Sequence, residues 1–158
     1  MIMETKMIEN GLLKVAEVEL IYKTKVKASD RPKITCSKDA YKLLLGTWDE
    51  NKIELVEQFK VLLLNRGNRV LGIYEVSTGG ITGTVADLRL IFAAALKANS
   101  IYIMLSHNHP SGNLKPSRAD DQMTAKFKEA GRYLDITVLD HLIVSKEGYY
   151  SYADEGVL

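Results

Sequence analysis

Residues 101–106 read IYIMLS, an apolar run that ends abruptly in His107-Asn108-His109-Pro110-Ser111-Gly112. A run this short, bounded by turn residues, fits a central strand of a sheet better than a helix. A strand buried on both faces needs an apolar layer against each, so this run demands a layered fold.

The flanking patterns supply the layers. Residues 59–65 and 70–77 are strand-like around Arg66-Gly67-Asn68-Arg69, which predicts a hairpin. Asp87 fits an N-cap before a strongly apolar helix over 88–98, expected to be largely buried. Ser117 opens a second helix over 118–131, with Ala119, Met123, Phe127, Ala130 and Leu134 forming an apolar stripe at helical spacing. Residues 136–145 read as a strand, followed by a turn into 149–152. Upstream, Ser37 caps a helix over 38–45 with Gly46 as its stop. Residues 48–57 form a loop or short helix, 14–25 alternate like a strand, and 1–12 read as a frayed start. Strands and helices therefore alternate in a mixed α/β domain of three layers.

Composition narrows function by exclusion. At 158 residues the chain suits one domain, and 46% apolar with 26% charged residues is ordinary for a globular protein. A formal charge of +1 gives no support to strong sequence-independent nucleic-acid binding, which leans on clustered Lys and Arg. The single cysteine, Cys36, excludes an internal disulfide and a multi-cysteine zinc knot, and is expected to be a small buried side chain. The apolar runs at 61–64 and 90–96 fall far short of the roughly 20 residues of a membrane span. The N-terminus carries no signal-peptide core, so cytoplasm is the expected location.

The chemistry concentrates in residues 107–120. In an extended segment residues i and i+2 share a side, so His107 and His109 can face one ion. Asp120, in the first turn of the following helix, faces back toward the strand end. Two imidazoles and one carboxylate are a common catalytic zinc set with one position left for water, whose pKa zinc lowers to about 7. Amide hydrolysis also needs a proton carrier and an oxyanion donor. Glu57, just before the 59–65 strand, is the better carrier by position, and Glu54 is the alternative. Ser117 is the candidate donor, a role compatible with capping the helix.

The combination His107-x-His109-Pro110-x6-Ser117-x2-Asp120 resembles the JAMM (MPN+) signature of JAB-domain metalloproteases. With Asn108, Ser111, Gly112, Pro116 and Asp140-His141-Leu142-Ile143-Val144, and with the stretch from Glu57 to Asn65, residues 38–158 are similar to the bacterial RadC-like branch. The resemblance implies a largely antiparallel mixed sheet flanked by helices, the JAB/MPN or cytidine-deaminase-like three-layer architecture. It also implies one zinc ion per chain on His107, His109 and Asp120, Glu57 as acid/base and Ser117 as oxyanion or water stabiliser. Asn108 stands where eukaryotic deubiquitinating members carry Ser or Thr, and Leu88 where RadC-like chains often have proline. Residues 1–37 are too short and too strand-like for the helix-hairpin-helix module of many relatives, so a short form with an N-terminal extension is expected.

Three functions compete on these residues. The leading expectation is a zinc metallohydrolase cleaving a peptide or isopeptide bond in a protein or peptide substrate. A DNA-repair-associated accessory module would bind DNA in a salt-dependent way. A metal-stabilised scaffold would receive a partner strand on an exposed sheet edge. The letters H-N-H do not make a nuclease, since that motif is dispersed over a ββα unit. His141 is expected as a core or edge histidine bonded to neighbouring backbone, with support of the zinc site as the alternative. Tyr149, Tyr150 and Tyr152 are expected to cover the sheet edge, and the glycines from Gly79 to Gly83 to permit a gating loop. Substrate and oligomeric state are not encoded in the pattern.

Overall fold

A computed structural model of the chain describes residues 16, 19, 21–79 and 86–158. These hold helices α1 (Ser37–Thr47), α2 (Leu88–Lys97) and α3 (Arg118–Tyr133), and strands β1 (Gln58–Leu64), β2 (Val70–Thr78), β3 (Tyr102–Asn108), β4 (Thr137–Val144) and β5 (Tyr149–Ser151). The strands form one sheet in the order β2-β1-β3-β4-β5. β1 runs antiparallel to both β2 and β3, β5 antiparallel to β4, and β3 parallel to β4 with α3 as the crossover. This is the mixed, largely antiparallel α/β architecture expected.

Strand alternation sorts the core into two layers. Phe59, Val61 and Leu63 of β1 join Ile103 and Leu105 of β3 beneath α2 and α3, with Ile91, Phe92 and Phe127. Leu62, Leu64 and Met104 face the other way, against Ala40, Leu44 and Trp48 of the α1 side. Odd-numbered residues of β3 thus look toward α3 and even-numbered ones toward α1. From Ile103 to Asn108 β3 is buried throughout, as its apolar sequence requires.

The β1–β2 turn forms as expected, with Asn65 Oδ1 accepting the N–H groups of Gly67 and Arg69 and Asn68 at φ 58°. Asp87 caps α2 by accepting the Arg89 N–H at 2.9 Å. Elsewhere the structure departs from the sequence pattern. α1 starts at Ser37 with Cys36 as its N-cap and runs through Gly46 to Thr47, because the helix carries Leu44 and Leu45 over the sheet before it ends. Cys36 is exposed at that cap, not buried. α2 buries Ile91, Phe92 and Ala95, but Leu90 and Leu96 on its outer side are 51% and 53% exposed, so one face is covered and not the whole helix.

The buried face of α3 is Asp120, Thr124, Phe127 and Gly131, while Ala119 is exposed and Leu134 is 42% exposed. The buried stripe is therefore rotated by about one residue from the one hydrophobic spacing predicts, since α3 turns two polar side chains inward. Its far end closes tightly on β4. A Cβ at Gly131 would stand 2.2 Å from the Ile136 carbonyl oxygen, so no side chain fits there.

Residues 21–25, the described end of the strand expected over 14–25, belong to no strand. Residues 1–12, and residues 80–83 of the expected gating loop, lie outside the described residues. Among the described residues no helix is long and apolar enough to cross a membrane.

Candidate metal centre

The topology brings three separate chain segments to one point. His107 stands near the end of β3 on the α3 side, opposite Phe59 in the β1 register, and is fully buried. His109 follows two residues later, where the chain leaves the sheet toward Pro110 and Gly112. Asp120 reaches them from the first turn of α3. Its position is set by a capping box: Ser117 Oγ accepts the Asp120 N–H at 3.1 Å, and Asp120 Oδ2 accepts the Ser117 N–H at 2.7 Å.

His107 Nε2 lies 3.0 Å from His109 Nε2 and 3.2 Å from Asp120 Oδ1, and His109 Nε2 lies 3.6 Å from Asp120 Oδ2. Two ligands ~2.1 Å from a tetrahedral ion stand about 3.4 Å apart, so these separations fit a single small cation. His107, His109 and Asp120 thus form a group able to hold a metal ion.

The hydrogen bonds behind the ligands point the same way. Thr124 Oγ1 donates its only proton to the Asp120 carbonyl at 2.7 Å, so toward His141 Nδ1, 2.6 Å away, it can only accept. His141 is fully buried, and burial, followed by the charge of His107, pushes its pKa well below the usual value and keeps it neutral. With its proton on Nδ1, His141 Nε2 must accept from His107 Nδ1 at 2.8 Å. In the deprotonated form that a metal ligand requires, His107 therefore keeps its lone pair on Nε2. His109 Nδ1 donates to the Asn113 carbonyl at 2.5 Å, which puts its lone pair on Nε2 as well. Two nitrogen lone pairs meeting at 3.0 Å repel unless a proton or a metal ion lies between them.

The electrostatics agree with a site built for positive charge. Burial alone would raise the Asp120 pKa, but hydrogen bonds with His107 and His109, the His107 charge and the Ser117 N–H hold it far below the usual carboxylate range. Its hydrogen bond to Asp120 pushes the His109 pKa up against the opposing effect of burial, with the Asn113 carbonyl and the charges of Asp120 and Glu57 adding to the rise. Apolar rings exclude water behind the histidines. Phe59 stacks near His107 at 6.1 Å between centroids, and Tyr152 stacks on His141 at 5.1 Å.

On its open side the site meets a cleft. His109, Pro110 and Gly112 line this cleft of about 170 Å³ together with Ile53, Glu54 and Lys146. A larger groove of about 640 Å³ runs behind α3, lined by Lys115, Lys128, Tyr150 and Tyr152, and contains none of the three ligands. Of the three ligand residues His109 alone lines the smaller cleft, which is the one that adjoins the site.

Glu57 is half-buried, directly before β1. Continuing the Phe59↔His107 register by two residues brings it opposite His109, and its backbone carbonyl is pinned by the Gly79 N–H at 2.8 Å. Glu54 is 67% exposed on its side chain and pairs with Lys146 at 3.5 Å. Ser117 is exposed, and its hydroxyl donates to Asp120 Oδ2 at 2.7 Å. His141, expected to bond with backbone, instead joins His107 to Thr124. Tyr152, expected on the sheet edge, is only 2% exposed and donates to Asp121 Oδ1 at 2.8 Å. Thr124 escapes a motif-based reading of the sequence. Its signal is its place one turn after Asp120, at i+4 on the same helix face.

A family model described as the RadC-like JAB domain matches residues 34–157, most of the chain. The chain belongs to this family. A UPF0758 protein of Flavobacterium johnsoniae is 46% identical over 125 residues, which are 79% of this chain and 53% of that protein. One from Clostridium beijerinckii is 36% identical over 147 residues, 93% of this chain and 63% of the relative. One from Symbiobacterium thermophilum is 42% identical over 103 residues, 65% and 44% of the two chains. This RadC-like JAB domain thus spans about half the length of the curated relatives it matches. None of these three names states an activity.

Proposed function

We propose that this RadC-like JAB domain is a zinc-dependent metallohydrolase that cleaves a peptide or isopeptide bond. The observation that carries the proposal is the meeting of two imidazoles and a carboxylate beside a cleft that His109 lines, each oriented by its own hydrogen bonds. His107, His109 and Asp120 would hold the ion. A zinc ion in such a set supplies Lewis acidity and makes a water acidic enough to attack near neutrality.

The chain's own residues do the rest. Glu57, opposite His109 and half-buried, takes the proton of the attacking water and delivers it to the departing nitrogen. Ser117 lies beside Asp120 with an exposed hydroxyl. Its O–H orients the carboxylate, and turned toward the substrate oxygen it serves as oxyanion donor. His141 and Thr124 keep the His107 lone pair on Nε2, the arrangement by which buried partners raise the basicity of a metal-binding imidazole. The cleft beside His109 presents Ser111, Glu54 and Lys146, polar groups able to hydrogen-bond part of a polar substrate.

Zinc-loaded protein incubated with a peptide and isopeptide substrate panel, followed by mass spectrometry, tests the reading. Cleavage by the wild type, with Glu57→Gln retaining zinc and losing turnover, is the expected result. Undiminished turnover in Glu57→Gln would remove Glu57 from the chemistry.

A further inference from the structure

Asn108 separates the two histidines, and alternation along β3 turns it to the opposite face of the sheet, toward α1. It is fully buried there, yet both ends of its amide are engaged. Its Oδ1 accepts the Gln58 N–H at 2.7 Å, and its Nδ2 donates to the Ile53 carbonyl at 2.7 Å and the Val56 carbonyl at 2.9 Å. All three partners are backbone groups of one segment, 53–58, and two of them belong to the immediate neighbours of Glu57.

We infer that Asn108 is a positioning residue that fixes the Glu57 carboxylate relative to the metal ligands. The segment 53–58 follows the loop after α1 and ends on Gln58, the first residue of β1, just ahead of the β1–β3 ladder that starts at Phe59. Its other backbone bonds are local turns, such as Val56 N–H to the Lys52 carbonyl at 3.0 Å, and the bond from the Gly79 N–H to the Glu57 carbonyl at 2.8 Å, which joins it to the residue after β2. Nothing in these turns ties Glu57 to β3. The Asn108 amide does, from the residue between the ligands themselves. Ligands and proton carrier are thereby mounted on the same short stretch of strand, and a displacement of one carries the other. The three bonds dictate the residue type, since only a neutral carboxamide offers an acceptor and two donors on a side chain this short. Aspartate lacks the donors, and serine lacks the second donor and the reach. A misplacement of about 1 Å in such a group can cost on the order of 100-fold in rate, so a rigid mount has a functional reason.

The inference rests on Glu57 as proton carrier, but its test reads position and needs no substrate. The full chain is loaded with Co²⁺, and pseudocontact shifts are measured at the Glu57 and Gln58 amides in wild type, Asn108→Asp and Asn108→Ala. Asn108→Asp keeps the acceptor for Gln58 and removes both donors, so the Glu57 shift should change while Gln58 exchange stays slow. Asn108→Ala removes all three bonds, and Gln58 exchange should rise by about tenfold or more, as expected for one lost buried hydrogen bond. Zinc affinity in both should fall by less than the 10–100-fold typical when a residue bonded to a ligand is lost. An unchanged Glu57 shift in both variants overturns the inference, as does a metal loss equal to that of His109→Ala. Should the variants fail to fold, scalar couplings across the hydrogen bonds from the Asn108 amide to the Ile53 and Val56 carbonyls decide it in wild type, where their absence is the contradicting result. Retained turnover in Glu57→Gln, by contrast, strikes the catalytic reading and leaves the mount standing.

Discussion

α2 and α3 lie on the same face of the same sheet and are held by different physics. α2 buries Ile91, Phe92 and Ala95, side chains with nothing to satisfy except contact. α3 buries Phe127 and Gly131 in its second half but Asp120 and Thr124 in its first. The apolar helix is stabilised by area removed from water, roughly 25 cal/mol per Å², whatever the pH or metal content. The first half of α3 is held by its capping box and carries Asp120 into a group able to hold a cation with His107 and His109. One helix is a wall, and the other is a wall at one end and a ligand arm at the other.

The largest effects should separate the two helices most clearly. Phe92→Ala should cost about 3–5 kcal/mol of unfolding free energy, equally with zinc and with chelator, measured by chemical denaturation. Asp120→Ala should instead abolish the stabilisation by zinc, which for wild type at about 1,000 times the dissociation constant is about 4 kcal/mol. A zinc-dependent cost at Phe92, or persistent zinc stabilisation in Asp120→Ala, would erase the contrast. Gly131→Ala tests the fixed end of α3. Its Cβ meets a backbone oxygen, so a loss of about 1–3 kcal/mol is expected without any change in metal affinity.

Thr124→Val sharpens the comparison at the other end of α3. It leaves the shape and removes the hydroxyl that fixes the His141 tautomer, so zinc affinity should drop by about 10–100-fold in a chelator competition. The smallest effect is the pH response of the metal-free protein. The His109 pKa is raised by its Asp120 hydrogen bond, so its stabilising contribution is complete below about 6.5, the unfolded value, and fades as pH rises through the folded one. Metal-free protein should lose stability across that window relative to His109→Gln, and zinc should cancel the loss by taking the proton's place. Thermal denaturation from about pH 6 to about pH 8.5 spans the window and measures it.

This contrast also explains which parts of the molecule are legible in the sequence. α2 is readable because Asp87 caps it and its apolar spacing is what packs. The histidine pair and Asp120 are readable because two-residue strand spacing and a helix start are local facts. The buried face of α3 is not, because Ala119 and Leu134 obey hydrophobic periodicity while Asp120 and Thr124 obey the site. His141, Thr124 and Tyr152 form a stack behind the ligands only through the parallel β3–β4 pairing. Asn108 looks like a spacer in the sequence, because its partners lie some fifty residues upstream and meet it only through the β1–β3 register. Cys36 is expected inside because free cysteine is a small apolar side chain, but as the α1 N-cap it faces solvent.

The proposed centre holds one metal ion on His107, His109 and Asp120. Zinc K-edge X-ray absorption on the zinc-loaded chain addresses it most directly. The expected spectrum has two imidazole nitrogens at about 2.0–2.1 Å with oxygen donors filling the remaining positions, and it is lost in His109→Ala. A sulfur shell at about 2.3 Å, which among the described residues only Cys36 or a methionine could supply, or an unchanged spectrum in His109→Ala, would contradict it.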